Sequence, residues 1–389
     1  MDALSNFLIP FFKTYCANKR VYVGFSGGMD SHVLLHVSAS LRSLIPFQLS
    51  AIHVNHNIQH QSHAWEKHCT EVCSQLKIEL KIERLSETFS TDLENQLRKK
   101  RYALFKKYVQ SNDILLVAHQ QNDQAETLLL QLLRGAGPKG LSAMPFIKPF
   151  AKGYLARPLL DISRDDLLRY AKKYQLSWIE DESNRDTRFA RNFLRQSILP
   201  LIAKRWPSVS ATLSRAAKHC ASQEKLLSDY IMDDLKTCAG HYQNTLSVQK
   251  IMQFNVERRQ MIFRVWILSQ QFKLPSEKKL NEITKSVLKA GVDRQPYLSW
   301  DQVEVRRYRD DLYVMEKLKP HDAAKVLSLD QNKTIRFRQG GEKIKLPGRT
   351  HHHSLKKILQ AKGIPPWLRD RVPLVYENDE LVEIQDILF

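Results

Sequence analysis

Hydrophobic and polar positions follow two periods along the chain, and the first sharp change between them falls at Ser26. Val21, Tyr22, Val23 and Phe25 form a β-branched and aromatic run that predicts a buried strand. Beyond Ser26-Gly27-Gly28-Met29-Asp30-Ser31, the apolar positions Val33, Leu34, Leu35 and Val37 recur as on one face of a helix. Strands are also predicted at residues 49–54, 78–82, 114–118 and 177–179. Helices are predicted at 62–76, 91–109, after Asp123 and near 163–174. Strands that alternate with helices in this way predict an α/β domain with a parallel sheet.

From about residue 207 the pattern changes. Helical periods run over 211–236, 255–272 and 277–289, and a strand-like stretch covers 303–314, so a small, mostly helical middle domain is expected. Residues 317–322 read as a linker. Residues 335–346 alternate and turn through Gly340-Gly341, a short basic helix follows at 355–359, and a hairpin surrounds 377–380. The expected domains are 1–206, 207–316 and 323–389. His351, His352 and His353 are consecutive and cannot all point one way, which favours a polar loop over a metal site. The N-terminal apolar stretch has no basic residues before it and no small-residue cleavage site, so it reads as a packed helix rather than a signal peptide.

Charge adds a partner. Lysine and arginine number 60 against 41 acids, a net charge of +19 that attracts a polyanion, with nucleic acid the first candidate. An acidic membrane surface is the rival, but no basic amphipathic helix stands out and no run of about 18 apolar residues is present. The five cysteines, Cys16, Cys69, Cys73, Cys220 and Cys238, are odd in number and lack Cys-x-x-Cys spacing. Neither a disulfide framework nor a zinc knuckle is supported, and a reducing cytosol fits.

The chemistry begins at the loop. Strand, glycine turn and helix start together offer backbone N–H groups and a positive helix end to an anion. Ser26 and Ser31 add hydroxyl donors, and Asp30 suits a phosphate site only if a divalent cation such as Mg2+ bridges them. The loop has no lysine of the P-loop kind and no dinucleotide-binding glycine pattern. An ordinary glycine turn is the plain alternative, against which the serine-flanked six-residue string is far more specific. His53, Asn55 and His56 stand at the carboxyl end of a strand, where nucleotides sit in parallel sheets, although a histidine there also caps turns. Arg98 to Arg101 form a basic cluster that is either a solvated face or a phosphate contact. Asp123 and Glu126 share the start of a helix, where they either favour its dipole or hold a cationic amine. Arg188, Arg191 and Arg195 lie near one helical face and suit phosphate oxygens, the alternative being a solvated basic helix. The glycine-rich residues 134–144 read as a loop over the cleft or a connection.

The six-residue string resembles the pyrophosphate-binding SGGxDS loop (PP-loop) of the ATP pyrophosphatase superfamily, which cleaves ATP between the α- and β-phosphates and adenylates an oxygen. The whole chain resembles the tRNA(Ile)-lysidine synthase family. The likeness rests on that string, His53-Val54-Asn55-His56, Arg98 to Tyr102, Ala118 to Thr127, Leu133-Arg134-Gly135 with Gly140-Leu141, and Arg157-Pro158-Leu159-Leu160. It also rests on Asp181 through Ser183-Asn184 to Arg191-Asn192 and Arg195, Gly340-Gly341-Glu342, and Pro366-Trp367-Leu368-Arg369. Two positions depart: Asn122 stands where the family often has aspartate, and Ile58-Gln59 where it often has Leu-Arg.

The resemblance implies a doubly wound, mostly parallel sheet of the adenine nucleotide alpha hydrolase kind, a helical middle domain and a small α+β C-terminal domain. It implies a cytoplasmic ligase that uses ATP and Mg2+ to join free L-lysine to C2 of the wobble cytidine of the CAU-anticodon isoleucine tRNA, with a homodimer left open. ATP would meet Ser26, Gly27, Gly28, Met29, Asp30, Ser31, His53 and Asn55, with Asp30 also the metal ligand. Asp30 and Arg191 would be catalytic, and Asp123 and Glu126 would hold lysine. Arg98, Arg101, Arg195, Lys356 and Lys357 would touch tRNA. The rivals are a tRNA thiolase, which normally needs paired cysteines, and a non-catalytic tRNA-binding protein, which has no use for the loop.

Overall fold

The computed structural model describes residues 2–55, 62–85, 93–180, 186–291, 294–319, 327–328, 332–345 and 351–385. The expected contributions of His56, Asp181, Ser183 and Asn184, the Ile58-Gln59 departure and the second half of the expected linker lie outside the described residues. By compactness the chain forms two units, Met1–Leu226 and Leu227–Phe389.

The first unit is built on six strands: β1 (Arg20–Gly24), β2 (Gln48–Asn55), β3 (Glu79–Arg84), β4 (Ile114–Leu116), β5 (Ile147–Phe150) and β6 (Gly153–Ala156). Their order is β3-β2-β1-β4-β6-β5, parallel throughout except for the β5 edge. Its helices are α1 (Ala3–Phe11), α2 (Met29–Leu41), α3 (Ser62–Gln75), α4 (Leu93–Tyr108), α5 (Gln121–Leu133), the single turn α6 (Pro138–Leu141), α7 (Arg164–Lys173), α8 (Ala190–Phe193) and α9 (Leu199–Arg205).

Period-two alternation along the strands divides the core into two layers. Val21, Val23, Ala51, Ile114 and Leu116 pack with α1, α2 and α7 on one face. Tyr22, Ile52, Val54 and Leu115 meet Phe105 and Val109 of the α4 side on the other. The chain runs outward from β1 to β3, then returns to place β4 against the free side of β1. That reversal opens a crevice at the carboxyl ends of β1 and β4.

Residues 177–179, expected as a strand, are not one. The place beside β4 is filled by β6. The segment is instead tied to the loop after β1: the Ile179 amide donates to the Gly27 carbonyl at 3.1 Å, and His32 Nδ1 donates to the Ser177 carbonyl at 2.6 Å. The β5–β6 hairpin escaped the sequence pattern because its strands are short and Gly153 opens β6. A Cβ there would lie 2.3 Å from the Asp113 carbonyl oxygen, so only glycine permits the approach.

The unit boundary falls within α10 (Val209–Thr237). The second unit then carries β7 (Leu246–Ser247), α11 (Val248–Ile251), α12 (Val256–Ser269), α13 (Glu277–Glu282), β8 (Tyr297–Trp300), β9 (Val303–Tyr308) and β10 (Asp311–Glu316). The helices share a core with the antiparallel sheet β7-β10-β9-β8, in which Ile262, Phe263 and Trp266 pack against Val305 and Leu312. Beyond β11 (Leu327–Ser328), the elements are β12 (Lys333–Phe337), β13 (Lys343–Lys345), β14 (His352–Ser354), α14 (Leu355–Ala361), α15 (Pro366–Arg369), β15 (Pro373–Glu377) and β16 (Glu380–Ile384). Four of these strands form the sheet β11-β12-β15-β16 and β13 pairs with β14 in a separate ribbon, with a small core of Leu355, Leu359, Val372 and Leu374. His352 and His353 lie in β14, paired with β13, and not in a loop. Among the described residues no helix is long and apolar enough to cross a membrane.

Candidate functional site

The loop between β1 and α2 lies at the crevice. The Phe25 amide still donates to the Ile52 carbonyl of β2 at 2.9 Å, and the chain then turns sharply at Gly27, φ +83°. The turn favours glycine by conformation, and a Cβ on Gly27 would also crowd Cys69 Sγ at 3.2 Å. Ser31 clamps the turn. Its Oγ accepts from the Ser26 amide at 3.2 Å, donates to the Gly28 carbonyl at 2.9 Å, and lies 3.0 Å from Ser26 Oγ. Gly28 caps α2 with no side chain, so the first-turn amides of α2 are left for an external anion.

Asp30 stands in that first turn with Oδ1 buried and without a partner. Burial and the nearby negative charge of Asp123 push its carboxyl up to about 6, against the pull of Arg164 and Arg195. A buried, unpartnered carboxylate oxygen beside other carboxylates is a donor set suited to a hard divalent cation. Among the described residues no group of three or more His, Cys, Asp and Glu side chains could hold a metal ion by itself.

At the end of β4 the two carboxylates of α5 meet arginines. Asp123 Oδ2 accepts from the Gln120 amide at 2.9 Å, and Gln120 Oε1 from the Asn122 amide at 2.7 Å, so Asp123 does cap the helix. Its other oxygen accepts from Arg195 NH2 at 2.8 Å. Glu126, fully buried, takes Arg195 Nε at 2.6 Å and Arg191 Nε at 2.9 Å, and Arg191 NH2 reaches Thr127 Oγ1 at 3.1 Å. Burial lifts the Glu126 carboxyl above its ordinary range, while the charges of Arg191 and Arg195 and the Gln120 amide bond oppose burial at Asp123, whose carboxyl is held down. The arginines come from α8 and the π-helical turn Leu194–Ile198 that follows it.

In this structure the partners of Asp123 and Glu126 are thus guanidiniums, where an ammonium was expected. Arg195, expected on a tRNA phosphate, is turned inward, because two buried carboxylates left uncompensated would cost several kcal/mol. Arg188, the third arginine of the string, pairs instead with the neighbouring Asp186 at 2.7 Å.

On the β2 side, His53 Nδ1 donates to the Phe25 carbonyl at 2.9 Å, and burial holds its pKa down, so the buried, unpartnered Nε2 is an acceptor. Asn55 Nδ2 donates to Glu66 Oε1 at 2.7 Å. Glu66 also takes a two-pronged bond from Arg84, at 2.9 and 2.7 Å, which with Asn55 overrides desolvation and pushes its carboxyl down to about 2. Arg98 and Arg101 of α4 lie against the Tyr102 ring at 5.3 and 6.0 Å. Lys356 and Lys357 are exposed on α14, in the other unit.

Family models match three segments of the chain. Residues 4–202 match the family model of a PP-loop domain, 246–313 a TilS substrate binding domain and 334–389 a TilS substrate C-terminal domain. A tRNA(Ile)-lysidine synthase from Coxiella burnetii is 41% identical over 409 residues, covering 97% of this chain and 91% of that protein. The chain belongs to the tRNA(Ile)-lysidine synthase family. Enzymes of the same name from Legionella pneumophila (strain Paris) and Methylococcus capsulatus are 39% and 38% identical, each covering 93% of this chain and 90% of their own. It is accordingly an ATP-binding ligase that forms lysidine on tRNA(Ile).

For a lysidine synthase the cysteines are unremarkable. Cys16, Cys69, Cys73 and Cys238 are buried, and desolvation pushes Cys16 and Cys73 up to about 12 and Cys238 up to about 11. Buried thiols raised in this way are poor nucleophiles, and with no paired spacing among the cysteines they lend no support to the thiolase reading. Four residues around this cleft received no role from the sequence, Glu66, His119, Arg157 and Arg164, although His119 and Arg157 stand in strings that carry the family resemblance. His119 and Arg157 follow the ends of β4 and β6, and the rule that ligands sit at strand carboxyl ends gave the signal for both.

Proposed function

We propose that the enzyme works in two steps on the wobble cytidine of the CAU-anticodon isoleucine tRNA. The C2 oxygen of the base attacks the α-phosphorus of ATP and pyrophosphate leaves. The uncharged ε-amine of free lysine then attacks C2, the C2–O bond breaks, AMP departs and lysidine remains. The observation that carries this reading is the unpartnered Asp30 oxygen within an amide-lined loop, beside a buried carboxylate–arginine cluster.

The loop amides and the Ser26 and Ser31 hydroxyls hold the departing pyrophosphate. Asp30 would hold Mg2+, which when bound neutralises charge on the phosphates. His53 and Asn55 address the nucleoside of ATP, with Glu66 orienting the Asn55 amide. Arg191 faces the negative charge that builds at phosphorus. The paired opposite charges of Asp123, Glu126 and Arg195 match a zwitterion, so they take the ammonium and carboxylate of lysine's amino-acid end and leave its ε-amine to react. Arg98 and Arg101, with Lys356 and Lys357 of the C-terminal domain, meet tRNA phosphates. Residues 1–206 act as the catalytic domain, 207–316 as the middle domain and 323–389 as a tRNA-binding domain, in the cytoplasm. Mass analysis of tRNA nucleosides after incubation with ATP and lysine tests the scheme. Lysidine should form only when all three are present, and pyrophosphate released at full rate without tRNA would sink it.

A further inference from the structure

Arg157, the head of the Arg157-Pro158-Leu159-Leu160 string, has no part in this scheme, and neither has His119. Yet the fold joins them. Arg157 is buried, with its amide on the Phe146 carbonyl at 2.8 Å and its NH1 on the Pro145 carbonyl at 2.7 Å. Its Nε donates to His119 Nδ1 at 3.2 Å. A guanidinium has no lone pair to offer, so this bond has one polarity only: Nδ1 accepts and carries no proton. The single proton of the neutral ring then sits on Nε2. His119 keeps partial solvent exposure at the end of β4, where the cleft lies.

We propose that His119 serves lysidine formation as a fixed, neutral hydrogen-bond donor, presenting Nε2–H to a substrate oxygen that gains negative charge, with Arg157 as the positioning residue that sets its tautomer. Burial and the charges facing the ring keep it neutral: Arg157 beside it, Arg98 from α4 and Arg191 from α8 oppose a second proton, against the pull of Asp123 from α5. Burial and these arginines push its pKa down to about 3. The geometry also excludes His119 as the base that deprotonates lysine, since no lone pair is left on the cleft side.

The role rests on the proposed reaction, whereas the tautomer does not, and the test separates them. In the full chain labelled with 15N-histidine, one ring, identified by its loss in His119→Gln, should show a proton on Nε2 only from pH 5 to 8. In Arg157→Met, and to a lesser degree in Arg157→Lys, that ring should begin to titrate toward its ordinary range, about 6.5. His119→Gln keeps an N–H near the Nε2 position and should lose no more than about tenfold in kcat. His119→Asn, whose amide falls near Nδ1, should lose about a hundredfold or more, with KM for ATP little changed in both. A wild-type ring protonated at Nδ1, or His119→Asn as active as His119→Gln, overturns the proposal even where lysidine forms. Should the Arg157 variants fail to fold, the wild-type spectrum and the two His119 variants decide it. A wild-type enzyme that makes no lysidine would count against the reaction itself, with the tautomer still readable.

Discussion

Arg195 and Glu126 are joined twice, Nε to Oε1 at 2.6 Å and NH2 to Oε2 at 3.0 Å, across 69 positions of sequence. With the Asp123 bond, the one guanidinium holds two buried carboxylates at the mouth of the nucleotide loop. Because the site's charges are also its mortar, substitutions there should affect stability and catalysis by separable amounts.

Arg195→Gln leaves Asp123 and Glu126 buried with less compensation, which should destabilise the fold by about 3–5 kcal/mol. Glu126→Gln combined with Arg195→Gln should recover part of that loss, since both charges then go together. Urea denaturation of the single and double variants measures the coupling. A single variant within about 1 kcal/mol of wild type would mean the pair is solvated in solution.

Asp123→Asn retains an oxygen to cap α5 but removes one negative charge from the amine side. Each charge-assisted bond is worth about 1.5–3 kcal/mol, so the lysine KM should rise by about one to two orders of magnitude. Adenylation should suffer less, and adenylated tRNA should accumulate. Equal losses in pyrophosphate release and lysine turnover, at unchanged lysine KM, would leave Asp123 a helix cap and nothing more.

Asp30→Ala removes the one carboxylate of the loop and should abolish pyrophosphate release while tRNA binding, followed by filter retention, stays nearly intact. Normal pyrophosphate release by this variant would refute the metal assignment.

Glu66→Gln should raise the KM for ATP by about tenfold, the worth of one charge-assisted bond to the Asn55 amide. The substitution also has a pH signature. The folded pKa of Glu66, about 2, lies below its ordinary 4.5, so its stabilisation is present above about pH 4.5 and is lost as pH falls toward 2. Acid titration of stability should therefore be flatter in Glu66→Gln over that window. Superimposable acid limbs would show that Arg84 and Asn55 contribute nothing to the charged form.

Lys356→Gln with Lys357→Gln should weaken tRNA binding and reduce the slope of log affinity against log salt by about 1–2, one unit for each phosphate no longer neutralised. An unchanged slope would place the tRNA elsewhere on the chain.

Much of this protein is local, and the amino-acid order alone carried it. A phosphate loop needs only a strand, a turn that bends at Gly27 and a helix start with open amides. Residues 20–38 supply all three within one short stretch, so the loop, the parallel sheet and the family were legible before any coordinates. The capping role of Asp123 is equally local, since Gln120 and Asn122 stand beside it. What no sequence pattern contained is who faces whom across the crevice. Arg191 and Arg195 show helical spacing and positive charge, which suits a phosphate surface as well as a buried pair. Only the packing of α8 beside α5 turns them onto Glu126, because desolvated carboxylates there must find partners. The same holds for residues 177–179, whose Trp178 and Ile179 read as a strand until β6 took the place beside β4. His119 and Arg157, 38 positions apart, meet only because β4 and β6 are neighbours in the sheet. The ring's tautomer follows from that adjacency, and the tertiary structure alone decides it.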